Sequence, residues 1–149
     1  MAAGKNSIFV GGASRNKQTI EGVSGSAFKP GQLLARGAGS AIDVTAKAST
    51  TFGNEFLVCD DQPSTIGGST TTAVKVGDTI QALSLLDGQY ALLSFATGQN
   101  VTGLGLPVAS NGDGDFKLAA TDGSEQVYAV TEEIINVTAA GTLVLCRAI

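Results

Sequence analysis

Leu83-Ser84-Leu85-Leu86-Asp87-Gly88-Gln89-Tyr90-Ala91-Leu92-Leu93 sets two apolar runs on either side of an Asp-Gly step. Asp-Gly between such runs is the strongest short-range signal for a β-hairpin, because both residues tolerate the positive φ angles of a tight turn. Just upstream, Val74 and Val76 alternate with Lys75, the period of a half-buried strand, and Gly77-Asp78 breaks the run before Thr79-Ile80-Gln81-Ala82-Leu83 resumes it. No segment keeps a helical period over three turns. The chain therefore reads as all-β.

Strand signals recur at hairpin spacing in both directions from this stretch. Toward the N-terminus they fall at 19–23, 33–36, 41–45, 55–59 and 71–76, with Lys29-Pro30-Gly31-Gln32 as a turn in which Pro fixes φ and Gly supplies the reversal. Toward the C-terminus they fall near 104–108, 115–120, 125–131 and 141–147, and Ile134-Ile135 with Val137-Thr138 suits a strand better than a helical turn. Residues 61–72, rich in Gly and Thr, are too long for a hairpin turn and predict an exposed loop. A β-sandwich or small β-barrel follows, spanning 19–149 as one β-rich domain that could divide into two lobes, 19–61 plus 101–149 and 62–100.

Residues 31–61 also echo residues 103–132. Gly31-Gln32-Leu33-Leu34-Ala35 faces Gly103-Leu104-Gly105-Leu106-Pro107, Ile42-Asp43-Val44 faces Phe116-Lys117-Leu118, and Phe56-Leu57-Val58 faces Val127-Tyr128-Ala129. The offset drifts between blocks, so shared strand-and-turn composition accounts for the echo as well as a duplication does.

Residues 1–18 differ from the rest. A short apolar patch, Ile8-Phe9-Val10, sits among Gly4, Gly11, Gly12, Ser7, Ser14 and Asn16, the composition of an extended arm that orders on a partner. Charge follows the same division. Residues 1–47 hold six of the nine basic groups against Glu21 and Asp43, leaving +4, while the remaining 102 residues carry −8. An acidic body without interleaved aromatic and basic residues repels phosphates, which argues against nucleic acid as a partner.

Catalytic chemistry has little to work with. Of the 149 residues none is histidine, the commonest general base and metal ligand, and none is tryptophan. Asp60/Asp61 and Glu132/Glu133 are adjacent pairs at strand ends, where neighbours point to opposite faces and cannot share a proton. Aromatic residues are only 5 %, too few for sugar stacking by a carboxylate glycosidase. No serine lies in a nucleophile elbow, and Gly22-Val23-Ser24-Gly25 and Gly37-Ala38-Gly39-Ser40 open no helix and carry no Gly-Lys-Ser/Thr. Asn111-Gly112-Asp113-Gly114-Asp115 has oxygen ligands at alternate positions, but Phe116 stands where a calcium loop needs glycine, and the same residues are those of a tight turn. No cofactor and no metal is expected. Cys59 and Cys146 lie in apolar runs and read as buried thiols of a reducing cytoplasm; no signal peptide or apolar membrane span opens the chain.

Pro30-Gly31-Gln32-Leu33-Leu34-Ala35, Val76-Gly77-Asp78-Thr79-Ile80, Val101-Thr102-Gly103-Leu104-Gly105-Leu106 leading to Gly112-Asp113-Gly114, and Val127-Tyr128-Ala129-Val130 with Ala139-Ala140-Gly141-Thr142-Leu143-Val144-Leu145 together resemble the head decoration, or cement, proteins of tailed bacteriophages. The resemblance covers about two thirds of the chain. It implies a non-enzymatic β-rich protein, a trimer more readily than a dimer, made in the host cytoplasm. It would bind the major capsid protein on the outside of an assembled head and clamp neighbouring capsomers, with neither membrane nor nucleic acid as partner. The expected contacts are Lys5, Ile8, Phe9, Arg15 and Lys17 in the arm. A self-assembling virion subunit, such as a tail tube or a fibre or spike module, is the alternative.

Overall fold

In the computed structural model, residues 7–12, 17–44, 53, 55–61, 70 and 72–149 are described. They form thirteen strands, none longer than seven residues, and no helix. The first, β1 (Phe9–Gly12), stands apart from the five that follow: β2 (Thr19–Ser24), β3 (Leu33–Arg36), β4 (Ala41–Val44), β5 (Leu57–Cys59) and β6 (Thr79–Ser84). These five close into a barrel in the order β2-β4-β3-β5-β6, with β6 returning antiparallel to β2. Its interior holds Phe28, Leu34, Ile42, Leu57, Cys59, Val74, Ile80 and Ala82.

The remaining strands are β7 (Gln89–Phe95), β8 (Asn100–Val101), β9 (Pro107–Ser110), β10 (Phe116–Leu118), β11 (Ala129–Thr131), β12 (Ile135–Asn136) and β13 (Thr142–Ala148). Five of them join β1 in a six-stranded sheet in the order β1-β7-β10-β9-β11-β13, and β13 pairs back onto β7 from Thr142↔Phe95 to Arg147↔Tyr90, closing a second ring. β8 and β12 pair separately.

The two rings repeat one topology. In each, the first strand runs parallel to the third (β2 with β4, β7 with β10), the second lies antiparallel between the third and fourth, and the fifth closes antiparallel onto the first. Register repeats as well. Ile42 lies opposite Arg36 and Ser24, and Phe116 lies opposite Ser110 and Phe95. The sequence echo thus marks a structural repeat. Its Ile42/Phe116 block is aligned as the strands are, while Leu57 corresponds to Ala129 rather than Tyr128, a slip of one residue.

Alternation explains how the barrels join. In β3, β5 and β6, Leu34, Leu57 and Ala82 face the first barrel's interior, while their neighbours Leu33, Val58 and Leu83 belong to the core of the second, with Ile8, Leu93, Phe95, Val108, Phe116 and Val144. Phe56, one residue before β5, packs its ring 6.0 Å from that of Phe116 and 5.1 Å from that of Tyr128. One apolar face of the first barrel is therefore part of the second barrel's core, and strands buried on both faces lose the apolar/polar alternation that a sequence reading relies on.

Four expectations change. Asp87-Gly88 does turn the chain, with Gln89 N–H donating to Leu86 O at 3.0 Å and Gly88 at φ 85°, but β6 and β7 do not pair. Both edges of β6 are already held by β2 and β5, so the turn carries the chain from one barrel to the other. Of the expected strand 71–76, the described residues 72–76 supply one bridge, Val74 to Phe28; Val76 is 67 % exposed on a turn closed by Asp78 N–H to Lys75 O. The strands group as β2–β6 in one ring and β1, β7, β9, β10, β11 and β13 in the other sheet, because β7 pairs with β13 and not with any of β2–β6. Finally, residues 9–12 of the expected arm are a strand of the second sheet. Most of the expected loop 61–72 lies outside the described residues.

Candidate functional site

The N-terminal strand is where sequence placed the contact surface, and its construction decides what can serve as one. Leu92 N–H donates to Ile8 O at 2.8 Å and β1 runs antiparallel to β7, through Phe9↔Ala91, Gly11↔Tyr90 and Gly12↔Gln89, with a bulge at Val10. The glycines are required by this course. Gly12 has φ 125°, and a Cβ on it would collide with Gly88 O and Gln89 Cα. Ile8 is 0 % exposed and sits in the shared core, so it offers nothing to an outside partner: as a contact residue it is corrected by its own burial. Phe9 is half-buried against the same core, whereas Val10, thrown outward by the bulge, is 53 % exposed.

Two carboxylates hold this segment to the body. Lys17 Nζ lies 2.7 Å from Asp60 Oδ2, and the Asp60 side chain is 0 % exposed. Asp60 Oδ1 accepts the Asp61 N–H at 2.9 Å, and Asp61 is in turn hydrogen-bonded by the Ile8 backbone. Burial first, and then its hydrogen bond with Asp61, raise the Asp60 carboxyl above the ordinary carboxylate value; Lys17 pulls the other way without prevailing. For Asp61 partial burial works upward, but hydrogen bonds from Asp60 and Ile8 and the charge of Lys17 hold it below. The two acids therefore act as a pair. The alternating-face argument fails for them because they follow Cys59, the last residue of β5, where strand geometry has ended. Lys17 keeps its amine on the surface but shares it with a buried acid. Lys5 and Arg15 lie outside the described residues.

Other acids are used to build turns. Asn111–Asp115 is the hairpin loop between β9 and β10: Asp115 N–H donates to Asp113 Oδ1 at 3.1 Å and Gly112 N–H to Ser110 Oγ at 3.1 Å. Asp115 itself is buried. Ser124 donates N–H and O–H to Asp122 Oδ1, which lowers the pKa of that carboxyl. Glu132 pairs with Arg147 at 2.9 Å, and Glu133 accepts the Leu145 N–H at 2.7 Å. Among the described residues no group of three or more Cys, Asp or Glu is arranged to hold a metal ion. Cys59 and Cys146 are buried as thiols.

Among the described residues, three of the seven exposed large apolar side chains lie in β1 or flank the ends of β7 and β13. Leu86 opens the turn beside Gly12↔Gln89, and Gly88 N–H donates to Ala148 O next to Ile149. Val10, Leu86 and Ile149 are all exposed on this end of the second barrel. Sequence reasoning missed Leu86 and Ile149, since single exposed aliphatics carry no signal in a sequence.

No protein-family model matches this chain, and no curated protein sequence matches it. A solved structure does: the head fiber gp8.5 N base of bacteriophage phi29, superimposing over 90 % of this chain and 95 % of that one with a TM-score of 0.57 at 15 % sequence identity. At that identity the likeness establishes the all-β fold.

Proposed function

We propose that this chain is a structural, non-enzymatic protein of a phage virion that attaches to the outer surface of the assembled head. The observation that carries the reading is the likeness of nearly the whole chain to the base of a head fibre. In support, six of the nine basic groups, Lys5 and Arg15 among them, fall in the first 47 residues while the rest of the chain is acidic, so that a contact through the N-terminal segment would carry positive charge. Attachment by surface alone acts through mass action: a ligand that binds only the assembled lattice stabilises it by RT ln(1 + [L]/Kd) at every occupied site.

Two roles share this geometry. As a decoration or cement protein, the chain clamps neighbouring copies of the major capsid protein, itself assembled as a trimer. As a fibre base, it anchors a projecting module and leaves capsomer contacts unchanged; the head-fibre likeness fits this second role as well as the first.

We assign the contact to Lys5 and Arg15, which flank β1 in sequence, together with Phe9, Val10 and Lys17. Deleting residues 2–6 removes Lys5 and stops short of Ile8 and β1. Combined with Arg15→Glu, the deletion should weaken co-sedimentation with empty heads and make the remainder more salt-sensitive. Unchanged binding sinks the role of this segment, and a native protein that ignores heads sinks the proposal. Heat release of DNA from loaded heads separates the roles, since a cement protein raises the release temperature and a fibre base leaves it where it was.

A further inference from the structure

The repeat of the two barrels exposes a difference between them. In the second barrel the third strand, β10, reaches the first strand, β7, only at Phe95, and the edge of β7 beyond that point is covered by β1 beside Gln89–Ala91. In the first barrel β4 likewise reaches β2 only at Val23 and Ser24. Here the matching edge, Thr19–Gly22, has no strand beside it among the described residues.

The backbone of that edge is set for pairing. Val23 sends its N–H outward to Ser40 O at 3.0 Å, away from β6, and Leu92, whose place in β7 matches that of Glu21 in β2, sends its own to Ile8 O at 2.8 Å. Alternate residues of a strand point the same way, so the N–H groups of Thr19 and Glu21 face the uncovered side. Side chains alternate too: Thr19 and Glu21 are exposed, whereas Ile20 is half-buried against the first barrel's core.

We infer that the Thr19–Gly22 edge of β2 is a docking site for an extended segment of a partner protein, added antiparallel as β1 is added to β7. The occupant's chemistry follows from what the edge presents. It carries an apolar residue over Ile20, where Phe9 lies over the matching Ala91, and a cation opposite Glu21. A small residue comes later, in the place that Gly12 takes in β1, where it crosses Gly88 and Gln89 closely. Main-chain hydrogen bonds supply affinity and the alternate side chains specificity. The inference stands on the barrel repeat and does not need the head-attachment reading, which suggests only that a shell subunit is the source of the segment.

The probe is a synthetic peptide of residues 7–12 carrying Ile8→Lys, which sets the lysine opposite Glu21; the full chain, labelled for amide NMR, is the target. Saturable shifts and slowed hydrogen exchange at the Thr19 and Glu21 amides are expected. Glu21→Pro should abolish them with the barrel intact, because the N–H it removes points away from β6 and proline is tolerated on a strand edge. Glu21→Lys, which keeps every backbone group, should weaken binding of the same peptide. Shifts elsewhere, none at all, or binding indifferent to both substitutions overturn the inference. Protection of these amides without peptide that grows with protein concentration makes a second copy the occupant and overturns it as well.

Discussion

Gln32 donates its side-chain amide to Asp115 Oδ1 at 3.0 Å, joining the turn that enters the first barrel to the β9–β10 loop of the second. Ser94 Oγ donates to the same oxygen at 2.7 Å. Around this acid the junction is closed by backbone bonds: Ser94 N–H to Gly31 O, Gly31 N–H to Cys59 O and Leu33 N–H to Gly114 O. A buried carboxylate accepting two side-chain donors is worth more than a neutral pair, and its removal leaves both donors without that acceptor.

Asp115→Ala should therefore lower the unfolding free energy by about 1–3 kcal/mol, the cost of stranding buried polar groups. Urea denaturation followed by two probes checks it. Because Leu33, Val58 and Leu83 of the first barrel belong to the second barrel's core, the transition should stay single. A loss under about 0.5 kcal/mol, or separate transitions for the two barrels, contradicts the junction.

Gly31 tests the same junction by shape. Its φ is 86°, and a Cβ there would lie 2.7 Å from Leu143 Cδ2 and 3.1 Å from Ser94 N. Gly39 has φ 63° with nothing within 4 Å of the added carbon. Gly39→Ala should cost about 1 kcal/mol for the left-handed backbone alone. Gly31→Ala should cost more by about 1–3 kcal/mol, because a side chain of the second barrel must move or the seam must part. Equal losses in thermal unfolding would show that no close approach exists at Gly31.

Strand positions were largely legible because their causes are local. Leu33–Arg36 lies where Pro30-Gly31 predicts, and Asn111–Asp115 is the turn its residues demand. Partnership was not legible. Asp87-Gly88 signals a reversal but not which strand lies alongside afterwards, and that was decided by β13 and β1, distant or ambiguous in sequence. Ile8-Phe9-Val10 read as an arm because glycines follow; Gly12 lets β1 cross Gly88 closely, and both glycines take positive φ. For the candidate site, Lys17 was named but its acid was not, since 43 residues separate it from Asp60 and no periodicity links them. Asp60 and Asp61 were discounted by a rule that holds only inside a strand.

That pair gives stability a pH dependence whose sign can be worked out. Asp60 is raised above 3.8, chiefly by burial and then by its hydrogen bond with Asp61, so the fold holds its proton more tightly than the unfolded chain does. Its contribution to stability is complete below the unfolded value and is lost as pH climbs through the raised one. Asp61 is shifted downward, against its own burial, by Asp60, Ile8 and Lys17; its contribution is present above 3.8 and fades as pH falls through the lowered value. Asp60→Asn keeps an acceptor for Lys17 and for the Asp61 N–H but cannot ionise. Above 3.8 the native protein should therefore lose stability relative to Asp60→Asn as pH rises, whereas well below it the gap should be constant. Unfolding free energies of both proteins, measured from about pH 4 to about pH 7, decide the matter. A gap that stays flat over that range, or closes as pH rises, means that Lys17 outweighs burial at Asp60 and that the pair anchors β1 as ordinary ionised carboxylates.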